Sequence, residues 1–168
     1  MPRLLFDFGK IWEIYERNLQ RARDGLAELE VYCKNRDPQF AGLGGWVFEQ
    51  TIQFCLQKEL EARCIQADFR EQIPLVGRVK ADLGVGNLAI EIKSAGLFSK
   101  EDAQRYGSYK KAAAEKGLDY LFLTLCESYG AYRDGIIAAV GADNVFFLDD
   151  PEDWGRFVAR VASAMTKK

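Results

Sequence analysis

The dipeptide Gly86-Asn87 constrains this chain more than any other feature, because it stands between two runs in which every second residue is apolar. Val79, Ala81, Leu83 and Val85 lead into it, and Leu88, Ile90 and Ile92 lead away. Period-two alternation on both sides of a Gly-Asn pair predicts a β-hairpin with a two-residue turn. That turn sets the register, so Val85 faces Leu88, Leu83 faces Ile90 and Asp82 faces Glu91. A slip of one residue would carry the whole apolar set to the other face, which pins the pairing. The opposite, polar face then carries Asp82, Glu91 and Lys93, with Lys80 across from Lys93. Like charges directly opposed in a sheet cost roughly 0.2–1 kcal/mol, so Asp against Glu calls for a cation. Lys93 supplies part of that charge, and two carboxylates beside a lysine also suit a Mg²⁺ site that polarises a phosphate.

Helical periodicity precedes the hairpin. Leu5, Phe8, Trp12, Tyr15, Leu19, Ala22, Leu26, Leu29 and Cys33 recur at alternating spacings of three and four, which predicts a long helix with a narrow coiled-coil-like seam. The seam serves either to pack the helix on the rest of the chain or to form a homodimer, and Asn35-Arg36-Asp37-Pro38 closes it. A second helix from Gly44 to Leu60 carries Phe48, Ile52, Cys55, Leu56 and Leu60 inward, with Glu49 bordering that apolar stripe and Gln53 one turn on. Strands are expected over Arg63 to Phe69, Ile73 to Val85 and Leu88 to Ser94. Ser99 then starts a helix with Asp102 at its capping-box position, ending near Gly117. A strand from Asp119 to Leu125, a helix from Tyr129 to Val140, a short strand from Asn144 to Leu148 and a last helix capped by Asp150-Pro151 complete the chain. A strand meander followed by alternating helices and strands indicates an α/β sandwich around a mixed sheet. Residues 1–40 read as an N-terminal helical segment, packed on the core or dimerising, and 41–168 as the α/β domain that carries the hairpin.

The chain has 168 residues, long enough to bury about 68–70% of its unfolded surface without a disulfide or metal staple. Cys33, Cys55, Cys64 and Cys126 form no CxxC pair and read as reduced core residues of a cytoplasmic protein. There is no histidine, which excludes Ser-His-Asp and Cys-His hydrolysis, HExxH zinc peptidases and nucleases with a histidine base. Carboxylates, lysine and a hard cation remain. A net charge of −2 argues against a polycation that coats nucleic acid or membranes, and no apolar run is long enough to cross a bilayer. Gly84-Val85-Gly86-Asn87-Leu88-Ala89 fits GxGxxA, but it joins two strands instead of a strand and a helix, so no nucleotide cofactor is expected.

Ala81-Asp82, eight residues, then Glu91-Ile92-Lys93 resembles the motif of the PD-(D/E)XK nuclease superfamily. The helix, three strands, helix and strand from Gly44 to Leu125 resemble its core, about half the chain. The resemblance implies a restriction-endonuclease-like mixed β-sheet flanked by helices, and a Mg²⁺-dependent endonuclease or exodeoxyribonuclease acting on DNA, with Mn²⁺ as a substitute ion. It implies that Asp82, Glu91 and the Ile92 carbonyl hold the metal, that Lys93 positions the attacking water, and that Glu49 is the additional acid on the preceding helix. Ala81 stands where the family has proline, and Asp102 stands four residues before Tyr106, where the RecB-like branch has glutamine, with Gln104 out of register. Arg78, Lys80, Lys100, Arg105, Lys110 and Lys111 are candidate contacts to the DNA backbone by their nearness in sequence. The competing reading is a catalytically inactive DNA-binding or assembly subunit with the same fold.

Overall fold

A computed structural model describes residues 3–32, 42–94, 100–125 and 130–166. The described residues form, in order, α1 (Phe8–Tyr32), α2 (Leu43–Glu61), β1 (Phe69–Val76), β2 (Val79–Val85), β3 (Leu88–Lys93), α3 (Lys100–Glu115), β4 (Asp119–Thr124), α4 (Gly130–Val140), a 3₁₀ turn (Ala142–Asn144), β5 (Val145–Phe147) and α5 (Asp153–Thr166). The strands make one sheet in sequence order, antiparallel from β1 to β3 and parallel from β3 to β5. The expected α/β sandwich around a mixed sheet is therefore observed. The expected domain boundary at residues 40–41 and the Asn35–Pro38 hinge lie outside the described residues, as do Cys33 and Cys126.

Each face of the sheet is covered by its own apolar cluster. On one side Ile11 and Tyr15 of α1, Phe48, Ile52 and Leu56 of α2, and Trp154, Phe157 and Val161 of α5 pack on Leu83, Val85, Leu88, Ile90 and Ile92. On the other, Tyr106, Ala112 and Ala113 of α3 and Ile136 and Val140 of α4 pack on Ile73, Leu75, Ala89, Tyr120 and Phe122. Each fully buried Leu, Ile or Phe contributes about 1.5–3 kcal/mol, so the helices are held mainly by these stripes.

The hairpin register is as the turn dictates at Val85↔Leu88 and Leu83↔Ile90. Other expectations need correction. The strand expected from Arg63 to Phe69 does not form, because Arg63, Cys64 and Ile65 donate their N–H groups back to the end of α2, with Cys64 at φ 58°. The single strand expected from Ile73 to Val85 is two, split where Gly77, at φ 55°, turns the chain; a residue with a Cβ would be strained there. Cys64 is exposed, not a core residue, whereas Cys55 is buried as expected. The last helix starts at Asp153 instead of Pro151, since Asp150 closes a turn onto Glu152 and Asp153 first.

The largest departure concerns which way side chains face. Val79 and Ala81 pack in the cluster with α3, while Leu83 and Val85 pack in the cluster with α2. β1 changes side at the same level: Phe69 packs toward α2, but Ile73 and Leu75 pack toward α3. The break falls at Gln72, whose φ of 55° interrupts the pleat between Glu71↔Leu83 and Ile73↔Ala81. Ile73 then crosses over Gly84, where a Cβ would come within 2.5 Å of Ile73 Cδ1. The polar residue on β2 at this break is Asp82.

Candidate functional site

The β2–β3 ladder ends at Leu83↔Ile90, one pair before Asp82 and Glu91 would have met. The two acids are therefore not direct cross-strand partners, which corrects the expected pairing. Asp82 Oδ2 instead accepts the Ile92 N–H at 2.8 Å, so a side chain takes the place of the next ladder bond as the strands part. Beyond this point β3 keeps only its parallel partner, with Glu91↔Phe122 and Lys93↔Thr124. Lys80 pairs with Pro74 on β1 and points to solvent, so it is not opposite Lys93 either.

Lys93 brings the acids together. Its Nζ lies 2.6 Å from Glu91 Oε1 and 3.5 Å from Asp82 Oδ2. Glu91 is buried, at 4% exposure, so the face expected to be polar and solvated is closed off at this residue. Burial pushes the Glu91 carboxyl up to about 7, with Asp82 adding to the shift and Lys93 opposing it. Burial also pulls the Lys93 ammonium down, but Glu91 and Asp82 together outweigh it and hold the lysine protonated. Glu91 Oε2 is buried and has no hydrogen-bond partner among the described residues, and the same is true of the Tyr120 hydroxyl.

Glu49 approaches from α2, on the other side of the sheet. It lines a cleft of about 190 Å³ together with Trp46, Gln53, Glu71 and Asp82. Burial pushes the Glu49 carboxyl up to about 7, reinforced by Asp82 and opposed by Lys93, with Glu91 and Glu71 adding further. Four carboxylates thus act around one ammonium, and the excess charge is negative. Among the described residues, no three His, Cys, Asp or Glu side chains converge closely enough to hold a metal by themselves. The orphaned Glu91 oxygen, beside the charge of Asp82, fits a hard cation that binds through one or two carboxylates and keeps several waters, as Mg²⁺ does.

The candidate DNA contacts whose side chains are described come from the β1–β2 turn, β2 and α3. Arg78 lies in the β1–β2 turn and Lys80 on the exposed side of β2. Arg105 on α3 pairs with Asp102 at 2.5 Å and donates to the Tyr106 hydroxyl at 3.3 Å; it also acts on Glu91. Lys110 sits near Gly141, and Lys111 is exposed. The side chain of Lys100 lies outside the described residues. The sequence reading missed Trp46 and Glu71, and the only hint to Trp46 was its helical spacing of three from Glu49.

No helix of the described residues is long and apolar enough to cross a membrane. No protein-family model, curated protein or solved structure matches the chain.

Proposed function

We propose that this chain is a Mg²⁺-dependent nuclease of restriction-endonuclease-like architecture that hydrolyses DNA phosphodiester bonds in the cytoplasm. One observation carries the reading: Asp82 and Glu91 share the Lys93 ammonium where two strands part, and a buried Glu91 oxygen is left without a partner. Asp82, Glu91 and the Ile92 carbonyl would hold the ion, with Glu49 reaching it through water. When bound, Mg²⁺ supplies Lewis-acid polarisation of the phosphate and a lowered water pKa.

The rest follows from the side chains. Asp82 is oriented by the Ile92 N–H, so its free oxygen keeps a fixed direction without reorganisation. Lys93 stays charged because of its two acids; it can hold the attacking water through one N–H and offset the negative charge that builds on the phosphate. Glu91 is fixed by the β3 backbone and by Lys93, which suits a ligand that must not move. Tyr15, Leu19 and Ala22 pack on the core, which leaves less of the α1 seam for a homodimer.

The test is degradation of plasmid, linear duplex and single-stranded DNA in Mg²⁺ against EDTA, with Lys93→Ala as the control. Mg²⁺-dependent cleavage that Lys93→Ala lacks supports the reading. DNA binding without cleavage by the wild type would instead favour the inactive DNA-binding subunit.

A further inference from the structure

The cleft beside the carboxylates has a composition unlike a phosphate site. Its charged lining residues are Glu49, Glu71 and Asp82, and it contains no lysine or arginine. With no cation bound, these three carboxylates repel phosphate oxygens. Its neutral polar groups are the amides of Gln50, Gln53 and Gln72, each of which offers donors and an acceptor in one plane. Gln50 makes only a long bond, 3.4 Å to Glu71, and neither Gln53 nor Gln72 has a hydrogen-bond partner among the described residues. Trp46 lies on the rim, one helical turn before Glu49 and Gln50, and is 56% exposed on a helix whose other large side chains are mostly buried. Water does not favour an indole held in the open.

A flat, uncharged group rich in hydrogen-bonding edges satisfies all of these features. We propose that the cleft is a subsite for one unpaired nucleobase of a DNA strand, stacked on Trp46 with its edge toward the glutamine amides and acids, while the adjoining phosphate stays outside near Lys93. The inference rests on the nuclease reading for the identity of the polymer. It adds the substrate class: a base inside a duplex is stacked on both faces and paired at its edge, so the strand must be single or carry an unstacked nucleotide at the scissile position. Glu49 and Glu71 can accept from an exocyclic amine, as acids do from cytosine N4.

The test uses the full chain in Ca²⁺ and the fluorescence anisotropy of a labelled 15-nucleotide single strand, the same strand with a run of abasic sites, and the blunt duplex. Stacking on an aromatic is worth about 1–3 kcal/mol per base, or a factor of roughly 5 to 150 in affinity. The intact single strand should bind at least about 10-fold tighter than the abasic strand or the duplex. Trp46→Ala should lose about 10-fold for the intact strand only, Trp46→Phe should stay within about 3-fold of wild type, and neither should move the melting temperature, since the indole is mostly exposed. Equal binding of intact and abasic strands, or unchanged binding by Trp46→Ala, overturns the proposal. If base-dependent binding is present but Mg²⁺ produces no cleavage, the subsite stands and the nuclease reading falls. Efficient duplex cleavage unaffected by Trp46→Ala gives the reverse result.

Discussion

Lys93 is shared by two acids of unequal burial, and each member of the trio has a distinct effect when removed. Asp82→Ala, Glu91→Ala and Lys93→Ala should each lower Mg²⁺-dependent DNA cleavage by at least about 100-fold, as loss of one group from a preorganised electrostatic site does, with far-UV helicity unchanged. Near-normal rates in any two of them would remove the site from consideration. The acids also make a pH prediction. Glu49 and Glu91 are raised from about 4.5 in the unfolded chain to about 7 when folded, so between those values the native state holds protons that the unfolded state releases. Stability in EDTA should therefore be greatest near and below pH 4.5 as far as these groups decide it, and should fall as pH rises to about 7. Urea midpoints measured from pH 5 to 8 check this. The double variant Glu49→Gln, Glu91→Gln should show a flatter profile, and equal slopes in variant and wild type would contradict the assignment.

Among the elements, the N-terminal segment, α2 and α5 are joined through one side chain. Glu59 is fully buried; its Oε1 accepts the N–H groups of Leu5 and Phe6 at 2.8 and 3.0 Å and the Trp154 indole N–H at 3.4 Å, and its Oε2 pairs with Arg63 at 2.6 Å. Glu59→Ala should cost about 3–5 kcal/mol in urea unfolding, because Arg63 loses its partner and three donors are left unpaired. A loss below about 1 kcal/mol would mean that water replaces the carboxylate. In α1, the heptad seam is largely intramolecular: Ile11 and Tyr15 are buried, and Phe8, Trp12, Leu19 and Ala22 pack partly against the core. Leu19→Glu should accordingly lower the melting temperature of the monomer, whereas Leu26→Glu should change mass by light scattering only if a dimer forms through the C-terminal half of α1. The sequence pattern fits both outcomes, since a stripe of apolar residues specifies a partner surface but not whose surface it is.

At the scale of the molecule, the layers were legible because their signals are redundant. Gly86-Asn87 and the alternating residues around it agree on one register, and the helix stripes of Phe48, Ile52 and Leu56 agree on a face. The site residues Asp82, Glu91 and Lys93 were legible for the same reason. Their geometry was not. Gln72 has no residue-type signal for a positive φ, yet its backbone decides where β1 and β2 change face and thus where Asp82 projects. The parting of β2 from β3 depends on Asp82 taking the Ile92 N–H, a contact no periodicity encodes. Trp46 and Glu71 come from different elements and meet Asp82 only in the folded chain.

The central claim is that the Asp82–Glu91 pair is a divalent-cation site, and the melting temperature of wild type and Asp82→Asn, each with EDTA and with Mg²⁺ or Ca²⁺, tests it most directly. Asn keeps the acceptor for the Ile92 N–H while removing one charge from a net negative pocket, so the variant should be more stable than wild type in EDTA. A cation at about ten times its dissociation constant adds about 1.4 kcal/mol, which should raise the melting temperature of wild type and leave Asp82→Asn nearly unchanged. A wild type that does not respond to roughly 10 mM of either ion, together with an Asp82→Asn that is neutral in EDTA, would contradict the account.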